Sequence, residues 1–155
     1  MMKLSQNLFA ESFMYATGVE AGRRGFEGWG IPREEILIAD GSGLSRYNLV
    51  TAEALASILT RVAGDERLRE PFLASLPIAG RDGSLDNRMK GTPAEGNARA
   101  KTGSFTNARA LSGYVRTASG EPLVFSIIAN NYNTTARLID QVTDSIVVRL
   151  AQFKR

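Results

Sequence analysis

The last third of the chain contains three extended segments followed by a helix, and this order constrains the fold more than any other feature. Residues 111–117 alternate apolar and polar side chains, as a half-buried strand does. A turn signal at 118–121 separates them from the apolar run 123–129, which predicts a strand buried on both faces. Residues 98–104 are predicted as another strand. Apolar residues at helical spacing predict a closing helix with one apolar face, formed by Ile139, Val142, Ile146, Leu150 and Phe153.

The first two thirds are predicted to be mainly helical. The predicted elements are helices at 8–16, from Thr51 to Gly64 and at 67–76, a frayed helix or compact loop at 18–30, a short strand at 35–39 and a long loop at 80–97. Helices that precede a set of antiparallel strands indicate the α+β class. With 155 residues and no visible repeat or linker, residues 1–155 are predicted to form a single domain.

Composition excludes several kinds of site. The chain has no histidine and no cysteine, so it offers no disulfide, no thiolate metal site and no Ser-His-Asp triad. We therefore predict no metal site and no cofactor, and acid–base chemistry that uses Lys, Asp, Glu or Tyr. The net charge is +3, but the arginines are scattered singly apart from Arg23 and Arg24. This dispersion makes a nucleic-acid-binding domain the less favoured alternative.

Two short motifs suggest a specific chemistry. Lys101-Thr102-Gly103 lies on a predicted strand, and Ser5-Gln6-Asn7 precedes the first helix. Ser and Asn are also ordinary residues for capping a helix N-terminus, so the second motif alone is weak. Serine penicillin-recognising enzymes combine Ser-x-x-Lys, Ser-x-Asn and Lys-Thr-Gly. The second and third of these elements occur here in that order.

Four segments in register extend the likeness, at 5–11, 40–46, 76–85 and 100–104. Together they resemble the D-alanyl-D-alanine carboxypeptidases of the low-molecular-mass, class C penicillin-binding proteins (peptidase S13 family), over nearly the whole chain. The resemblance implies part of the β-lactamase/transpeptidase-like fold, with antiparallel strands flanked by helices. It also implies the C-terminal part of the penicillin-binding domain, without the family's N-terminal strands and nucleophile helix.

The Ser-x-x-Lys nucleophile motif does not occur in this sequence. None of the 12 serines is followed by a lysine three residues later. The nucleophile is therefore expected on an N-terminal part that these residues lack, and the chain alone is expected to be inactive. A truncated or processed enzyme and a non-catalytic remnant that serves as a binding or assembly module are both compatible with the sequence.

The resemblance implies catalytic roles for Ser5, Asn7 and Lys101. Ser5 is expected to relay a proton toward the leaving amine, since a hydroxyl both accepts and donates. Asn7 is expected to donate an amide hydrogen to a substrate carbonyl. Lys101 would place a positive charge near the terminal carboxylate of the substrate.

Substrate-binding roles follow for Thr102, Gly103 and Ser104. The two hydroxyls are suited to hydrogen-bond the carboxylate, and the glycine lets an extended substrate lie close to the strand. The Ser104 N–H is a candidate for half of an oxyanion hole.

The implied partners are peptidoglycan stem peptides that end in D-Ala-D-Ala, and β-lactams for the full-length family. The implied location is periplasmic or extracytoplasmic, although residues 1–5 are not expected to act as an export signal. Without further strands, the 123–129 strand is expected to have an unpaired apolar edge and to promote self-association or pairing with the missing part.

Overall fold

A computed structural model describes residues 1–155, which form five α-helices and five β-strands. The helices are α1 (Asn7–Thr17), α2 (Val19–Gly28), α3 (Ala52–Gly64), α4 (Glu66–Ser75) and α5 (Ala136–Gln152). The strands are β1 (Ile36–Leu37), β2 (Leu49–Val50), β3 (Arg99–Phe105), β4 (Ala108–Arg116) and β5 (Pro122–Asn130). None of the helices combines the length and the apolar character needed to cross a lipid bilayer.

The three long strands form one antiparallel sheet in the order β3-β4-β5. Their register places Ser112 of β4 between Lys101 of β3 and Ser126 of β5. The predicted strand-strand-strand-helix ending and the α+β class are therefore confirmed. Because the sheet has only three strands, both β3 and β5 are edge strands.

The main apolar core lies between this sheet and α5. Leu111, Val115 and Phe125 from the sheet meet Val147 and Ala151 from the helix. Full burial of a side chain such as Leu111 contributes about 1.5–3 kcal/mol relative to exposure. The core also takes side chains from the long loop before β3, namely Leu85, Met89 and Ala94. Because this loop leads directly into β3, its packing against the core helps to position β3.

The predicted apolar face of the closing helix is only partly confirmed, since Leu150 packs against the core but other predicted members do not. The buried stripe is Thr143, Val147 and Ala151, whereas Val142 and Ile146 are 48% and 40% exposed. A polar residue, Thr143, occupies the buried face because its hydroxyl donates to the Asp140 carbonyl at 2.9 Å. A buried polar residue such as Thr143 cannot be found from the spacing of apolar residues alone.

The prediction that residues 123–129 are buried on both faces is also wrong. Only Phe125 of β5 is buried, because no strand lies beyond β5 and the sheet faces are incompletely covered. The expectation of an unpaired edge at this strand is confirmed. The mainly apolar run 123–129 therefore lies in a strand with one edge that no other strand pairs with.

The glycine-rich region, for which a frayed helix or a compact loop was predicted, forms a helix. Helix α2 spans Val19–Gly28 and packs through Phe26 and Trp29 against a small apolar cluster that includes Ile31 and Ile36. The two aromatic rings meet edge to face, with centroids 6.2 Å apart. These apolar contacts offset the low helix propensity of glycine.

An ion pair fastens the long loop at 80–97 to α5. The Arg88 guanidinium donates to the Asp144 carboxylate at 2.7 and 3.1 Å and to the Thr143 hydroxyl at 3.1 Å. The side chains of Arg88 and Asp144 are only 17% and 19% exposed. The loop is therefore held in place although it contains little regular structure.

Gly113 sets the distance between β3 and β4 at the centre of the sheet. A Cβ atom at this position would lie 2.1 Å from the Arg99 carbonyl oxygen and 2.7 Å from the Ala100 Cβ. Real Cβ atoms do not approach other atoms so closely. Only a glycine lets β3 lie in its observed position.

Candidate active site

All six residues predicted for the site line one cleft of about 490 Å³. One wall is the segment 5–7 at the start of α1, and the opposite wall is the segment 101–104 of β3. The loop 41–44 forms a third side, and Met1 and Met2 close the cleft further. These loop and methionine residues were not predicted to belong to the site.

Lys101 connects the two main walls. Its ammonium group donates a hydrogen bond to the Ser5 hydroxyl at 2.7 Å and another to the Thr102 carbonyl at 3.0 Å. Lys101 makes no ion pair with a carboxylate, and its burial lowers its pKa from the ordinary value of 10.5. A partly buried cation that lacks a counter-charge favours binding of an anion.

The backbone and side chain of Ser5 do not serve as a helix cap. The N-cap of α1 is Gln6, which makes no side-chain capping bond, so the helix-capping interpretation of the Ser5 motif is wrong. Ser5 has a φ of 51°, which is uncommon for a residue other than glycine. Such conformations are concentrated at functional sites. The Asn7 side chain is exposed and forms no hydrogen bond within the chain.

The outer edge of β3 presents backbone donors to the cleft. The Ala100 N–H donates to the Pro77 carbonyl at 3.0 Å, on the side of β3 opposite β4. Since N–H groups alternate sides along a strand, the Ser104 N–H points to the same outer edge. The Ser104 hydroxyl has no partner within the chain. An extended peptide could therefore pair with this edge beside Lys101.

A turn at residues 82–84 holds both walls together. The Ser84 N–H donates to the Lys3 carbonyl at 3.2 Å, next to the Ser5 segment. The Thr102 hydroxyl on the other wall donates to the Ser84 hydroxyl at 2.9 Å. The Lys3 ammonium also pairs with the Asp82 carboxylate and, through this hydrogen bond above all, lowers the pKa of Asp82. This turn fixes the relative position of the two walls.

The positioning role of residues 82–84 was not predicted from the sequence. The segment 76–85 contributed to the family resemblance, but no contact with the site was inferred from it. Its only visible signal is the turn-forming sequence Asp82-Gly83-Ser84. The contact also bears on Thr102, since its hydroxyl hydrogen is already donated to Ser84. Binding of a carboxylate by the Thr102 hydroxyl would require that bond to change.

The third side of the cleft is fixed to α1 by Glu11. Its carboxylate accepts the backbone N–H groups of Gly41 and Ser42, each at 3.1 Å. Hydrogen bonds from the Ser42 hydroxyl and from these two N–H groups lower the pKa of Glu11. Further along the loop, the Arg46 guanidinium lies 5.0 Å from the centre of the Phe105 ring at the end of β3. The loop thus contacts α1 and β3, the two elements that carry the walls.

Comparisons with known proteins agree with this arrangement. Residues 1–153 match the model of the D-Ala-D-Ala carboxypeptidase 3 (S13) family. The chain is 42% identical over 169 aligned residues to a D-alanyl-D-alanine carboxypeptidase of Actinomadura sp. (strain R39), an alignment that covers 98% of this chain and 31% of that protein. It is 38% identical to carboxypeptidase DacB of Mycolicibacterium smegmatis, over 88% of this chain and 34% of the relative.

A solved structure shares the fold. Penicillin binding protein 4 from Haemophilus influenzae, complexed with a β-lactam, superimposes with a TM-score of 0.89 at 31% identity. The match covers 99% of this chain and 40% of that structure. The chain thus spans about a third of the length of the two curated relatives and has the fold of the corresponding part of a penicillin-binding protein. On these grounds the chain belongs to the D-Ala-D-Ala carboxypeptidase 3 (S13) family.

Proposed function

We propose that this chain forms two walls of a serine-type D-Ala-D-Ala carboxypeptidase or endopeptidase site that acts on peptidoglycan stem peptides. The observation that carries the proposal is the contact of Lys101 with Ser5, beside Asn7, in one cleft. The attacking serine would be supplied from outside these 155 residues, because the chain contains no Ser-x-x-Lys. The chain alone would then bind substrate without cleaving it.

Substrate recognition would depend on charge and on the edge of β3. The terminal carboxylate of a D-Ala-D-Ala peptide would lie near the Lys101 ammonium, which has no carboxylate partner. The Ser104 hydroxyl would donate to the same carboxylate. The peptide backbone would pair with the outer edge of β3, where Gly103 presents no side chain.

Proton transfer would use the Ser5 hydroxyl. This oxygen accepts a hydrogen bond from Lys101, so its own hydrogen is available for donation toward the leaving amine. The positive charge of Lys101 favours such a donation because it stabilises the oxygen as its hydrogen leaves. The Asn7 amide would donate to a carbonyl of the substrate backbone. The Ser104 N–H would form half of the oxyanion hole.

The proposed partners and location follow from the substrate. Peptidoglycan stem peptides lie outside the cytoplasmic membrane, so we place the protein in the periplasm or an equivalent compartment. β-Lactams would occupy the same cleft in the full-length enzyme. A β-lactam complex of the Haemophilus influenzae relative supports this assignment.

A peptide titration tests the proposal on the chain as it exists. A short peptide that ends in D-Ala-D-Ala should shift the NMR signals of the Lys101 and Ser104 amides in a saturable way. The same peptide with an amidated C-terminus should bind at least about tenfold more weakly, since it lacks the charge that Lys101 attracts. Lys101→Met should abolish the preference for the free carboxylate, whereas Arg24→Gln, on the exposed side of α2, should keep it. Equal binding of both peptides to the unsubstituted chain would refute the proposal.

A non-catalytic binding module is the second candidate, because the lack of Ser-x-x-Lys within these residues is compatible with it as well as with the enzyme. The two functions predict the same peptide binding but a different coding sequence immediately upstream. An in-frame Ser-x-x-Lys there supports the enzyme. A genuine start site without that motif supports the module.

A further inference from the structure

A second groove, of about 680 Å³, lies away from the cleft, and no residue lines both. It runs between α4 and the end of the sheet where β3 begins. Three guanidinium groups line it, from Arg69, Arg99 and Arg116, against a single carboxylate, Glu70. The groove therefore carries an excess of positive charge.

Two of these arginines are held by carbonyl oxygens rather than by carboxylates. The Arg99 guanidinium donates to the Leu73 carbonyl at 3.2 Å, and the Arg116 guanidinium donates to the Gly120 carbonyl at 3.2 Å. Neither makes an ion pair, whereas Arg69 contacts Glu70 at 3.5 Å. Since a guanidinium has five N–H donors, Arg99 and Arg116 each keep most of theirs for a ligand.

The sheet brings these two arginines to the same face. Arg99 pairs with Tyr114 across β3 and β4, and Arg116 lies two residues beyond Tyr114 on the same side of β4. The Asn97 side chain fixes this part of β4, because it accepts from the Arg116 N–H at 3.0 Å and donates to the Arg116 carbonyl at 2.9 Å. The two charges are thus neighbours on a rigid base.

We propose that this groove binds a ligand with at least two oxyanion groups, phosphate or carboxylate. Planar guanidinium groups match both kinds of oxyanion through paired hydrogen bonds. The volume lies within the range of about 300–1,000 Å³ that is typical of ligand sites. Arg99 and Arg116 bind the anionic groups, and Arg69 at the rim adds to the attraction. The inference depends on neither the nucleophile nor the peptide-binding cleft.

Titration of the 155-residue chain with inorganic pyrophosphate at low ionic strength tests this site. We expect saturable NMR shifts at Arg99 and Arg116, and about tenfold weaker binding in both Arg99→Gln and Arg116→Gln. Arg24→Gln should bind as the unsubstituted chain does. Lys101→Gln removes the charge of the cleft but should leave unchanged the affinity that is measured from the Arg99 and Arg116 signals, which separates this groove from the cleft. A parallel titration with succinate shows which of the two oxyanions the groove prefers.

Several outcomes would overturn the inference. These are no saturable binding of either anion, unchanged affinity in the two groove variants, or a loss of binding in Lys101→Gln alone. Circular dichroism verifies that each variant is folded. If Arg99→Gln does not fold, Arg116→Gln decides the question, since the Arg116 side chain makes a hydrogen bond only to the Gly120 carbonyl.

Discussion

The Lys101 ammonium and the Ser5 hydroxyl lie 2.7 Å apart, although 96 positions separate the two residues in the chain. This hydrogen bond joins the Ser-x-Asn and Lys-Thr-Gly motifs into one unit. Lys101 is partly buried and has no carboxylate partner, so its charge should respond to pH and its ammonium group should attract anions.

The lowered pKa of Lys101 predicts a specific dependence of stability on pH. Between the folded-state pKa and the unfolded value of 10.5, the unfolded chain binds more protons at this site than the folded chain. The contribution of Lys101 to the free energy of unfolding therefore rises with pH in that interval and is constant below it. Urea denaturation at several pH values should show this rise in the difference between the unsubstituted chain and Lys101→Met. A difference that falls with pH in that interval would contradict the prediction.

Gly83→Ala should disturb the cleft from the turn that holds both walls. Gly83 has a φ of 59°, and a Cβ there would lie 2.6 Å from the Lys3 carbonyl oxygen. Gly91→Ala is a matched control, since Gly91 has a φ of 70° but open space around it. The backbone conformation alone costs about 1–2 kcal/mol in both variants, and the close contact should add about 1–3 kcal/mol in Gly83→Ala.

Denaturation and NMR together distinguish the effect of the backbone conformation from the effect of the close contact with Lys3. Only Gly83→Ala should shift the amide signals of Ser5 and Asn7, because only its added methyl group contacts the backbone next to them. Equal stability losses without such shifts would mean that the turn does not position the wall.

The isolated chain should not be acylated by a fluorescent penicillin. Acylation by this family requires the serine of Ser-x-x-Lys, and none of the serines here has that context. Denaturing gel electrophoresis after incubation provides the measurement, with a full-length D-alanyl-D-alanine carboxypeptidase as the positive control. A stable covalent label that mass spectrometry assigns to a serine of this chain would contradict the prediction.

Arg88→Ala should destabilise the chain by about 3 kcal/mol, because it leaves the Asp144 carboxylate largely buried without its partner. Arg67→Ala provides the contrast. The Arg67 side chain is 91% exposed and lies 3.7 Å from Asp65, so its loss should change stability by no measurable amount. Urea denaturation measures both variants. Equal effects would show that the Arg88 ion pair does not hold the loop.

The open edge of β5 predicts self-association that increases with concentration. The exposed apolar side chains of α1, such as Leu8 and Phe13 at 76% and 65%, add to this tendency. Light scattering should show that the average molar mass increases with protein concentration. Hydrogen exchange of the β5 amides should become slower under the same conditions. Amides of α2 serve as the internal control. A clean monomer at high concentration would count against the prediction.

Local patterns were sufficient to predict most of the elements. Thr51 marked the start of α3 correctly, since its hydroxyl accepts the Ala54 N–H at 2.9 Å. The three long strands and the closing helix were predicted because alternation, turn residues and helical spacing are properties of neighbouring residues. The single-domain assignment stays a prediction.

The errors arose where burial depends on distant parts of the chain. The covered face of α5 includes Thr143, which Arg88 contacts from a loop more than fifty residues earlier. The incomplete burial of β5 depends on what lies beyond it, which no local pattern describes. The turn at 82–84 was missed as part of the site for the same reason, since its partners Lys3 and Thr102 are remote in sequence.

Gly113 has a consequence for the cleft although its own strand does not line it. The addition of a single methyl group there would push against Arg99 and Ala100, the two residues that directly precede Lys101. The ammonium group would then move away from the Ser5 hydroxyl, and the two motifs would separate without any change in either of them. The geometry of the cleft can therefore be lost through a change in the middle of the sheet, while every side chain that lines the cleft is unaltered.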